Sequence, residues 1–246
     1  DGDLTRELHR VGGLDQLFLG HRHSSGQYFF ELGQAFFIFA QWGGVGFGYC
    51  FSKEPGRSLK DLATARLWYW QGDPLGKAFF DASGLSPVPL SIIDVYTSLS
   101  TGMIDTVYAP PLGALALQWF SRTKYITNVP MANGIGSLVV SRKFYQGLPQ
   151  DLQLLLKRTG RETGMKLVAA TRSDNEEALA VLQQHGLELV EGDADLITGE
   201  IELISREASQ KLVDNGYIPA ATIERVQKLI QEYRESAEEQ SRNDNG

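Results

Sequence analysis

One short stretch of the sequence combines the residue types best suited to bind a small molecule. Trp68, Tyr69 and Trp70 are adjacent, and Gln71 follows them. Aromatic rings pack against apolar ligand groups, and a side-chain amide can orient a ligand inside an apolar cavity. In a strand, Trp68 and Trp70 would face one side and Tyr69 the other, so the three rings cannot all line one wall. For the two tryptophans, a core position and a pocket position are equally compatible with the sequence.

Other reactive residue types do not combine into a catalytic or metal-binding set. His21 and His23 would face one way on a strand, but no further Cys or His cluster completes a metal shell, which favours a solvated loop. Cys50 lies in an apolar run and is predicted to be a core residue. The stretch at 134–138 does not match the G-x-S-x-G pattern of a serine hydrolase. We therefore predict no catalytic residues, no metal and no cofactor.

Two further patterns have structural explanations. The glycine-rich run at 43–48 does not have the G-x-G-x-x-G spacing of a dinucleotide site and leads into Tyr49-Cys50-Phe51 rather than into a helix. We interpret it as a bent, closely packed strand. Asp94 and Asp105 could bring two carboxylates to one sheet edge, but ordinary capping and turn roles account for both.

Composition and charge exclude several classes of protein. The 246 residues are 42% hydrophobic, which is enough for a substantial core. The net charge is −7, with 23 basic and 30 acidic side chains and no long basic run, so no nucleic-acid partner is expected. No stretch reaches the roughly 18 apolar residues of a membrane span. The sequence starts at Asp1 without a signal-peptide pattern, and we expect a mature or trimmed product.

Strand-like and helix-like stretches alternate from residue 65 onward. Asp73 and Pro74 form an N-terminal helix signal, and Ser91 followed by Asp94 resembles a capping box. This repeat predicts an α/β fold with a mainly parallel sheet. The expected strands are Leu67 to Trp70, Val88 to Leu90 and Asp105 to Tyr108, and the expected helices are Leu75 to Ala82, Ile92 to Leu99 and Leu112 to Phe120.

The second half of the chain starts with a change in the residue pattern. The helical pattern disappears at 124–136, which predicts a crossing that acts as a hinge, followed by a buried strand from Gly136 to Ser141. Pro149 opens a helical pattern that reaches about His185, as one long helix or as two joined near 160–164. A strand at 187–190, helices at 198–215 and 221–236, and a frayed tail at 237–246 complete the prediction.

Several spaced motifs resemble one protein family. The run Ser86-Pro87-Val88-Pro89 is followed by a second motif from Asp94 to Asp105, DVYTSLSTGMID. This order is similar to the S-P-x-P and E-V-Y-x-A-L-Q-x-G-x-V-D signature of the substrate-binding subunits of tripartite ATP-independent periplasmic (TRAP) transporters, the DctP-like family. The resemblance extends from about Trp42 to Gly186.

The resemblance implies a function and an architecture. It implies a two-lobed, periplasmic-binding-protein-like α/β fold with a hinge between lobes and a long helix behind both. The lobes would comprise 1–57 with about 131–185, and 58–130 with about 186–236. The protein would be periplasmic, would bind a small molecule in the cleft without turnover, and would deliver it to an ion-gradient-driven TRAP permease.

Two departures from the family pattern matter for the ligand. Family members carry an arginine that clamps the ligand carboxylate where this sequence has Trp68 or Tyr69, and Arg66 lies too early to replace it. The family asparagine before a proline is Ala109 here. A carboxylate buried without a partner is costly. We therefore predict a ligand that is more apolar or aromatic than the usual small organic acid.

Family members also have additional strand and helix units before the segment matched here. Either the chain is a fragment, or residues 1–36 form a reduced lobe. The alternatives to a binding protein are an α/β enzyme for a small substrate and a partner-binding module in which a homodimer replaces the missing lobe. The predicted ligand-binding residues lie at two strand ends and in the crossing: Trp68, Tyr69, Trp70, Gln71, Tyr108, Pro110, Met131 and Asn133.

Overall fold

The computed structural model describes residues 36–38, 43–136, 139–193 and 199–244. The predictions for His21, His23 and a reduced lobe at 1–35 lie outside these residues. Residues 37–208 form one compact unit, and those from 209 onward belong to a second.

The strands are Phe36–Ile38 (β1), Gly43–Ser52 (β2), Trp68–Trp70 (β3), Val88–Leu90 (β4), Thr106–Ala109 (β5), Tyr125–Gly136 (β6), Val139–Ser141 (β7) and Glu188–Val190 (β8). The α-helices are Leu59–Thr64 (α1), Pro74–Ser83 (α2), Val95–Thr101 (α3), Pro111–Ala116 (α4), Arg142–Gly147 (α5), Gln150–Gln184 (α6), Ile201–Asp214 (α7) and Ala220–Asp244 (α8).

The central sheet is mixed and has the order β5-β2-β6-β8. Strand β2 runs antiparallel to β5 and β6, whereas β6 and β8 are parallel. Strands β3 and β4 form a parallel pair, and a parallel bridge between Leu67 and Thr106 connects them to β5. The α/β fold is confirmed, but the central sheet is mixed rather than mainly parallel as predicted. Parallel pairing is found where strand and helix alternate, while β2, which precedes that repeat, enters the sheet in the opposite direction.

Local signals place the first helix of the repeat. The Asp73 side chain accepts a hydrogen bond from the Leu75 amide at 3.0 Å, and Pro74 occupies the first turn of α2. Gly84 ends α2 with a positive φ of 70°, which glycine adopts without a steric penalty. The predicted cap and first-turn proline of α2 are confirmed.

The capping box predicted at Ser91 is wrong. Residues Ile92–Asp94 form a 3-10 turn, and the Ser91 side chain makes no cap hydrogen bond. The Asp94 amide instead donates to the Ser91 carbonyl at 3.0 Å, so Asp94 itself becomes the residue that precedes α3. A box requires both side chains to bond the opposite backbone amide, and the tighter turn prevents this.

Residues 124–136 contain a long strand rather than an irregular crossing. Strand β6 pairs with β2 from Tyr125 to Gly136, and its register is interrupted where residues 128–131 stand opposite Tyr49. Pro130 lies in this interval and cannot donate a ladder hydrogen bond. The predicted strand from Gly136 to Ser141 is shorter than expected, because β6 ends at Gly136 opposite the first residue of β2 and β7 begins at Val139. Val139 is exposed, so the predicted burial of that strand is also wrong.

A single helix, α6, accounts for the pattern that begins after Pro149. It contains 35 residues, which corresponds to a length of about 50 Å. Gly160 and Gly164, where two helices could have joined, are buried within it. Helix α8 continues to Asp244, beyond the predicted end at Ser236, because the polar residues that follow are compatible with helix. Among the described residues, no helix is both long and apolar enough to cross a membrane.

The core of the unit at 37–208 lies between the central sheet and the repeat helices. It is formed by twelve buried residues that belong to one contiguous cluster. Strand β3 contributes Trp68, whose ring is almost completely buried. The cluster comprises Phe51, Trp68, Val95, Leu99, Ile104, Val107, Ala109, Ala114, Trp119, Ile126, Leu182 and Leu187.

The two tryptophans of β3 allow a matched test of this packing. Trp68→Ala removes a ring that is 3% exposed and should lower the free energy of unfolding by about 3–5 kcal/mol. Trp70→Ala removes a ring that is 53% exposed and should change it by less than about 1 kcal/mol. Urea denaturation followed by circular dichroism measures both values. Equal losses for the two variants would contradict the assignment of Trp68 to the core.

Candidate functional site

Trp68 lies behind the strand ends, inside the core. Its ring stacks on Tyr108 with centroids 5.1 Å apart and makes an edge contact with Trp119 at 5.3 Å. Its Nε1 donates a hydrogen bond to the Leu90 carbonyl at 3.0 Å. Since the ring surfaces and the polar atom are occupied by protein groups, Trp68 supports the neighbouring residues instead of presenting a free surface. Of the two positions that the sequence allowed for this ring, the structure has the core position.

Trp70 and Gln71 are exposed at the carboxyl end of β3. The Gln71 backbone N–H donates to the Leu90 carbonyl at 3.1 Å, which extends the pairing with β4 by one residue. Tyr69 points to the other face, where its half-buried ring makes an edge contact with Phe80 of α2 at 5.9 Å. Alternation along β3 therefore separates Tyr69 from the tryptophans, as the sequence predicted, and the end of the sheet leaves Trp70 uncovered.

Tyr108 connects β5 to the end of β3. Its hydroxyl oxygen accepts a hydrogen bond from the Trp70 backbone amide at 3.3 Å. Burial raises the pKa of Tyr108 to about 12; the Trp70 amide acts against this shift, and the nearby Asp73 charge adds to it. The phenol is therefore neutral across the physiological pH range and keeps a proton that it can donate.

Asp73 is a site residue that the sequence identified only as a helix cap. One oxygen, Oδ1, caps α2, while Oδ2 lies 2.8 Å from the point that a Cβ on Gly76 would occupy. The Tyr108 hydroxyl lies 3.5 Å from the same point. Because Gly76 has no side chain, the carboxylate and the phenol can both approach this turn of α2. The signal in the sequence was Asp73 itself, two residues after the predicted ligand contact Gln71.

Exposed apolar side chains lie at this same edge of the sheet. Strands β3 and β4 are parallel with Trp70 opposite Leu90, so Ile92 and Ile93, which follow β4, come to the end at which Trp70 lies. Ile93 is 83% exposed, and Leu75 at the start of α2 is also exposed. We call Trp70, Leu75, Ile92 and Ile93 the strand-end patch. Such a group of uncovered apolar residues beside polar groups is typical of a binding surface.

The remaining predicted contacts lie farther along the sheet. Pro110 is half-buried and precedes α4 directly after β5. Met131 is partly exposed in the irregular part of β6, and Asn133 pairs with Phe47 of β2. Since β2 lies between β5 and β6, these positions are on a strand about 10 Å from that of Tyr108. The structure thus groups Trp70, Gln71 and Tyr108, with Trp68 behind them, and places Met131 and Asn133 two strands away.

Asn175 of α6 organises the adjacent start of α4, and sequence reasoning missed it. Its Oδ1 accepts from the Leu112 amide at 3.1 Å, and its Nδ2 donates to the Thr171 carbonyl at 2.8 Å. A Cβ on Gly46 would lie 2.6 Å from Nδ2, and Gly46 has a φ of 112°, so only glycine fits there. The register of β2 shifts at this residue. The bent, closely packed strand predicted from the glycine-rich run is confirmed.

The charged groups near β3 are engaged away from the strand-end patch. Arg66 forms an ion pair with Asp105, with Nη2 and Oδ2 3.0 Å apart, at the amino end of β3. Asp105 also accepts from the Arg66 amide, which gives it a turn-stabilising role. Burial raises the pKa of the Cys50 thiol to about 12, so it is neutral in the core. Within the described part of the chain, no group of His, Cys, Asp and Glu residues could hold a metal ion.

Comparison with known families shows which protein family the chain belongs to. The family model described as bacterial extracellular solute-binding protein, family 7 (DctP) matches residues 34–215. The chain belongs to this family. The family description is that of proteins that bind solutes outside the cytoplasm. In open α/β sheets, ligands usually bind at the carboxyl ends of the strands, which is where the candidate residues lie.

Relatives of known name support the family assignment. The chain is 25% identical over 142 residues to the 2,3-diketo-L-gulonate-binding periplasmic protein YiaO of Escherichia coli, which covers 56% of this chain and 42% of the relative. It is 26% identical over 117 residues to the C4-dicarboxylate-binding periplasmic protein DctP of Rhodobacter capsulatus, which covers 47% and 35% of the two chains. The chain therefore matches less than half the length of these curated relatives.

Solved structures show the same fold. A TRAP periplasmic solute-binding protein from Desulfovibrio salexigens with bound orotic acid has a TM-score of 0.75 at 19% identity, covering 96% of this chain and 70% of that one. A Bordetella pertussis receptor, DctP7, that binds pyroglutamic acid has a TM-score of 0.71 at 17% identity, covering 94% and 68%. The two-lobed TRAP solute-binding fold expected from the sequence is confirmed by these matches.

The contact between α6 and α4 can be tested by removing the Asn175 amide. Asn175→Ala leaves the Leu112 N–H without its acceptor in a partly buried place, and the free energy of unfolding should fall by about 1–3 kcal/mol. Asn128→Ala is a matched control, because its exposed amide donates to Glu191 at 2.9 Å and its loss should cost less than about 0.5 kcal/mol. Chemical denaturation measures both; a larger loss for Asn128→Ala would contradict the role of Asn175.

The raised pKa of Tyr108 predicts how stability depends on alkaline pH. An unfolded tyrosine loses its proton near pH 10, whereas folded Tyr108 keeps it up to about pH 12. In this interval the folded state binds more protons, so the free energy of unfolding should fall as the pH rises from 10 to 12. Absorbance at alkaline pH should show a late-titrating tyrosine that is missing in Tyr108→Phe. A wild-type titration identical to that of the variant would refute the shift.

Proposed function

We propose that this DctP-family chain is a periplasmic TRAP-type solute-binding protein that captures a small organic ligand at the carboxyl ends of β3, β4 and β5 and delivers it to a TRAP membrane permease. The ligand is released unchanged. The single observation that carries the proposal is the exposed side chain of Trp70, whose backbone amide donates to the Tyr108 hydroxyl at these strand ends, in a chain of a solute-binding family.

The proposed ligand is more apolar or aromatic than a small organic acid. The family resemblance puts a carboxylate-binding arginine at the position of Trp68 or Tyr69, and here both rings pack against protein residues. Arg66 is held by Asp105 and does not substitute for it. Solved structures similar to this chain contain orotic acid and D-glucuronate, which are carboxylates. The exposed apolar strand-end patch supports a different balance of contacts in this chain.

Ligand capture in the proposed mechanism involves bending of the sheet beside the site. The interruption of β6 opposite Tyr49 and the shift of β2 at Gly46 are the places where the long ladder has fewest regular hydrogen bonds. Bending there would change the distance between the β5 end and the outer part of β6. This motion would bring Met131 and Asn133 toward a ligand that rests on Trp70 and Tyr108.

The proposed site is tested by a double substitution. The wild-type protein is examined by native mass spectrometry for a co-purified molecule and by thermal shift against a library of small acids, amines and neutral compounds. Trp70→Ala with Gln71→Ala should weaken the best binder at least about tenfold, because a ring and an amide contact are both lost. Isothermal titration calorimetry measures this change.

The control has the same chemical change elsewhere on the surface. Phe144→Ala with Gln146→Ala also removes an exposed ring and an exposed amide, on α5, and should leave the affinity within about twofold. Equal affinities for the two double variants would show that the ligand does not bind at the β3 end. Absence of any binder in the library and in the mass spectra would contradict the proposed function itself.

A further inference from the structure

The strand ends that form the proposed site carry negative charge and no positive charge. Residues 70–76, 90–95 and 108–112 follow or end the parallel strands β3, β4 and β5. They contain Asp73 and Asp94 but no Lys, Arg or His. An organic acid bound at this edge would approach two carboxylates without a counter-ion from these segments.

Three basic side chains on or next to the neighbouring elements bond elsewhere. Lys77, one turn into α2, pairs with Asp81 at 2.7 Å. Lys53, which follows β2, donates its Nζ hydrogen bond to the Leu99 carbonyl at 2.6 Å. Arg66 lies at the opposite end of β3 with Asp105. Each of these basic groups thus has an acceptor away from the carboxyl ends of β3, β4 and β5.

Helix amino ends, which often bind anions, carry a bonded acceptor or a negative charge at this edge. Asp73 accepts the Leu75 amide of α2, and Asp94, whose side chain makes no cap hydrogen bond, places a negative charge before α3. The Leu112 amide of α4 is bonded to Asn175. The partial positive charge of a helix start is about half an elementary charge and is exceeded by a full carboxylate placed on it. These helix starts therefore do not offer an anion site.

The same groups fit a cation. An indole face attracts an ammonium group, and the Trp70 ring is half-exposed. Asp73 Oδ2 and the Tyr108 hydroxyl oxygen, which both lie beside Gly76, are hydrogen-bond acceptors for N–H donors. Apolar surface for the uncharged part of such a ligand is supplied by Leu75, Ile92 and Ile93.

Resting on the proposed function, we infer that the ligand is an amine that is protonated at neutral pH and attached to an apolar or aromatic body. The ammonium group lies between Asp73 and the Trp70 ring, and the apolar part covers the strand-end patch. A cationic ligand would separate this chain from the carboxylate-bound proteins that share its fold.

Matched probe pairs test the sign of the charge. Tryptamine is compared with indolepropionate, and phenethylamine with phenylpropionate, by thermal shift and calorimetry on the full chain. A ligand that binds only the folded state raises the midpoint of unfolding, so the amines should raise it and the acids should not. Amine affinity should also fall with added salt, because the contact is an exposed charge pair.

Removing one charge locates the contact. Asp73→Asn keeps a residue that caps helices well and should weaken amine binding by about five- to tenfold. Asp81→Asn removes the same charge from α2 outside the strand ends and should change the affinity less than about twofold. Equal effects of the two substitutions would overturn the assignment to Asp73.

The outcomes separate this inference from the proposed function. Stabilisation by the acids and not by the amines would overturn the inference and would leave a solute-binding function in place. Stabilisation by neither member of any pair would overturn the inference, and the wider library then decides the proposed function. Stabilisation by amines that Trp70→Ala does not weaken would refute the contact with the indole.

Discussion

The burial of the Trp68 ring between Tyr108 and Trp119 determines how the rest of the site is built. This stack holds β3 against β5, because Trp68 lies on β3 and Tyr108 on β5, two strands that are also connected by the parallel bridge between Leu67 and Thr106. With Tyr108 held in this position, its hydroxyl reaches the Trp70 amide at the strand end. An arginine at Trp68 would bring a guanidinium into the buried space between the Tyr108 and Trp119 rings without a carboxylate partner in that cluster, at a cost of several kcal/mol.

A second constraint, the close approach of α6 to β2, sets the position of α4. Asn175 can reach the Leu112 amide only because Gly46 leaves room beside its amide nitrogen. The strand bends at that glycine, and the helix that follows β5 is capped by a residue from another element instead of by its own sequence. A long helix, a bent strand and a short helix thus meet at one buried polar side chain. The strand end at Tyr108 lies directly before this junction.

Sequence reasoning succeeded where the determining interactions are local. The start of α2 depends on Asp73 and Pro74, within one turn, and its end depends on Gly84. It did not identify β6, because a strand with Pro130 and several glycines gains its identity from pairing with β2, which is distant in sequence. Alternation gave the face of Trp68 and Trp70 but not their depth, since depth depends on Tyr108 and Trp119. Asn175 was missed for the same reason: its partner Leu112 is 63 residues away.

The sign of the charge that the strand ends favour in a ligand depends on which charged groups already have hydrogen-bond or ion-pair partners. In a fold that binds organic acids, a cation at the strand ends must outweigh the desolvation of the ligand carboxylate. This chain has rings where that cation is expected. Asp73 and the Asn175 side chain accept amides at the starts of α2 and α4, and Asp94 places a negative charge before α3. Apolar surface alone does not discriminate between an acid and an amine of equal shape. Asp73 and Asp94, which have no basic residue in the same segments, do discriminate, because their carboxylates repel an acid and attract a protonated amine.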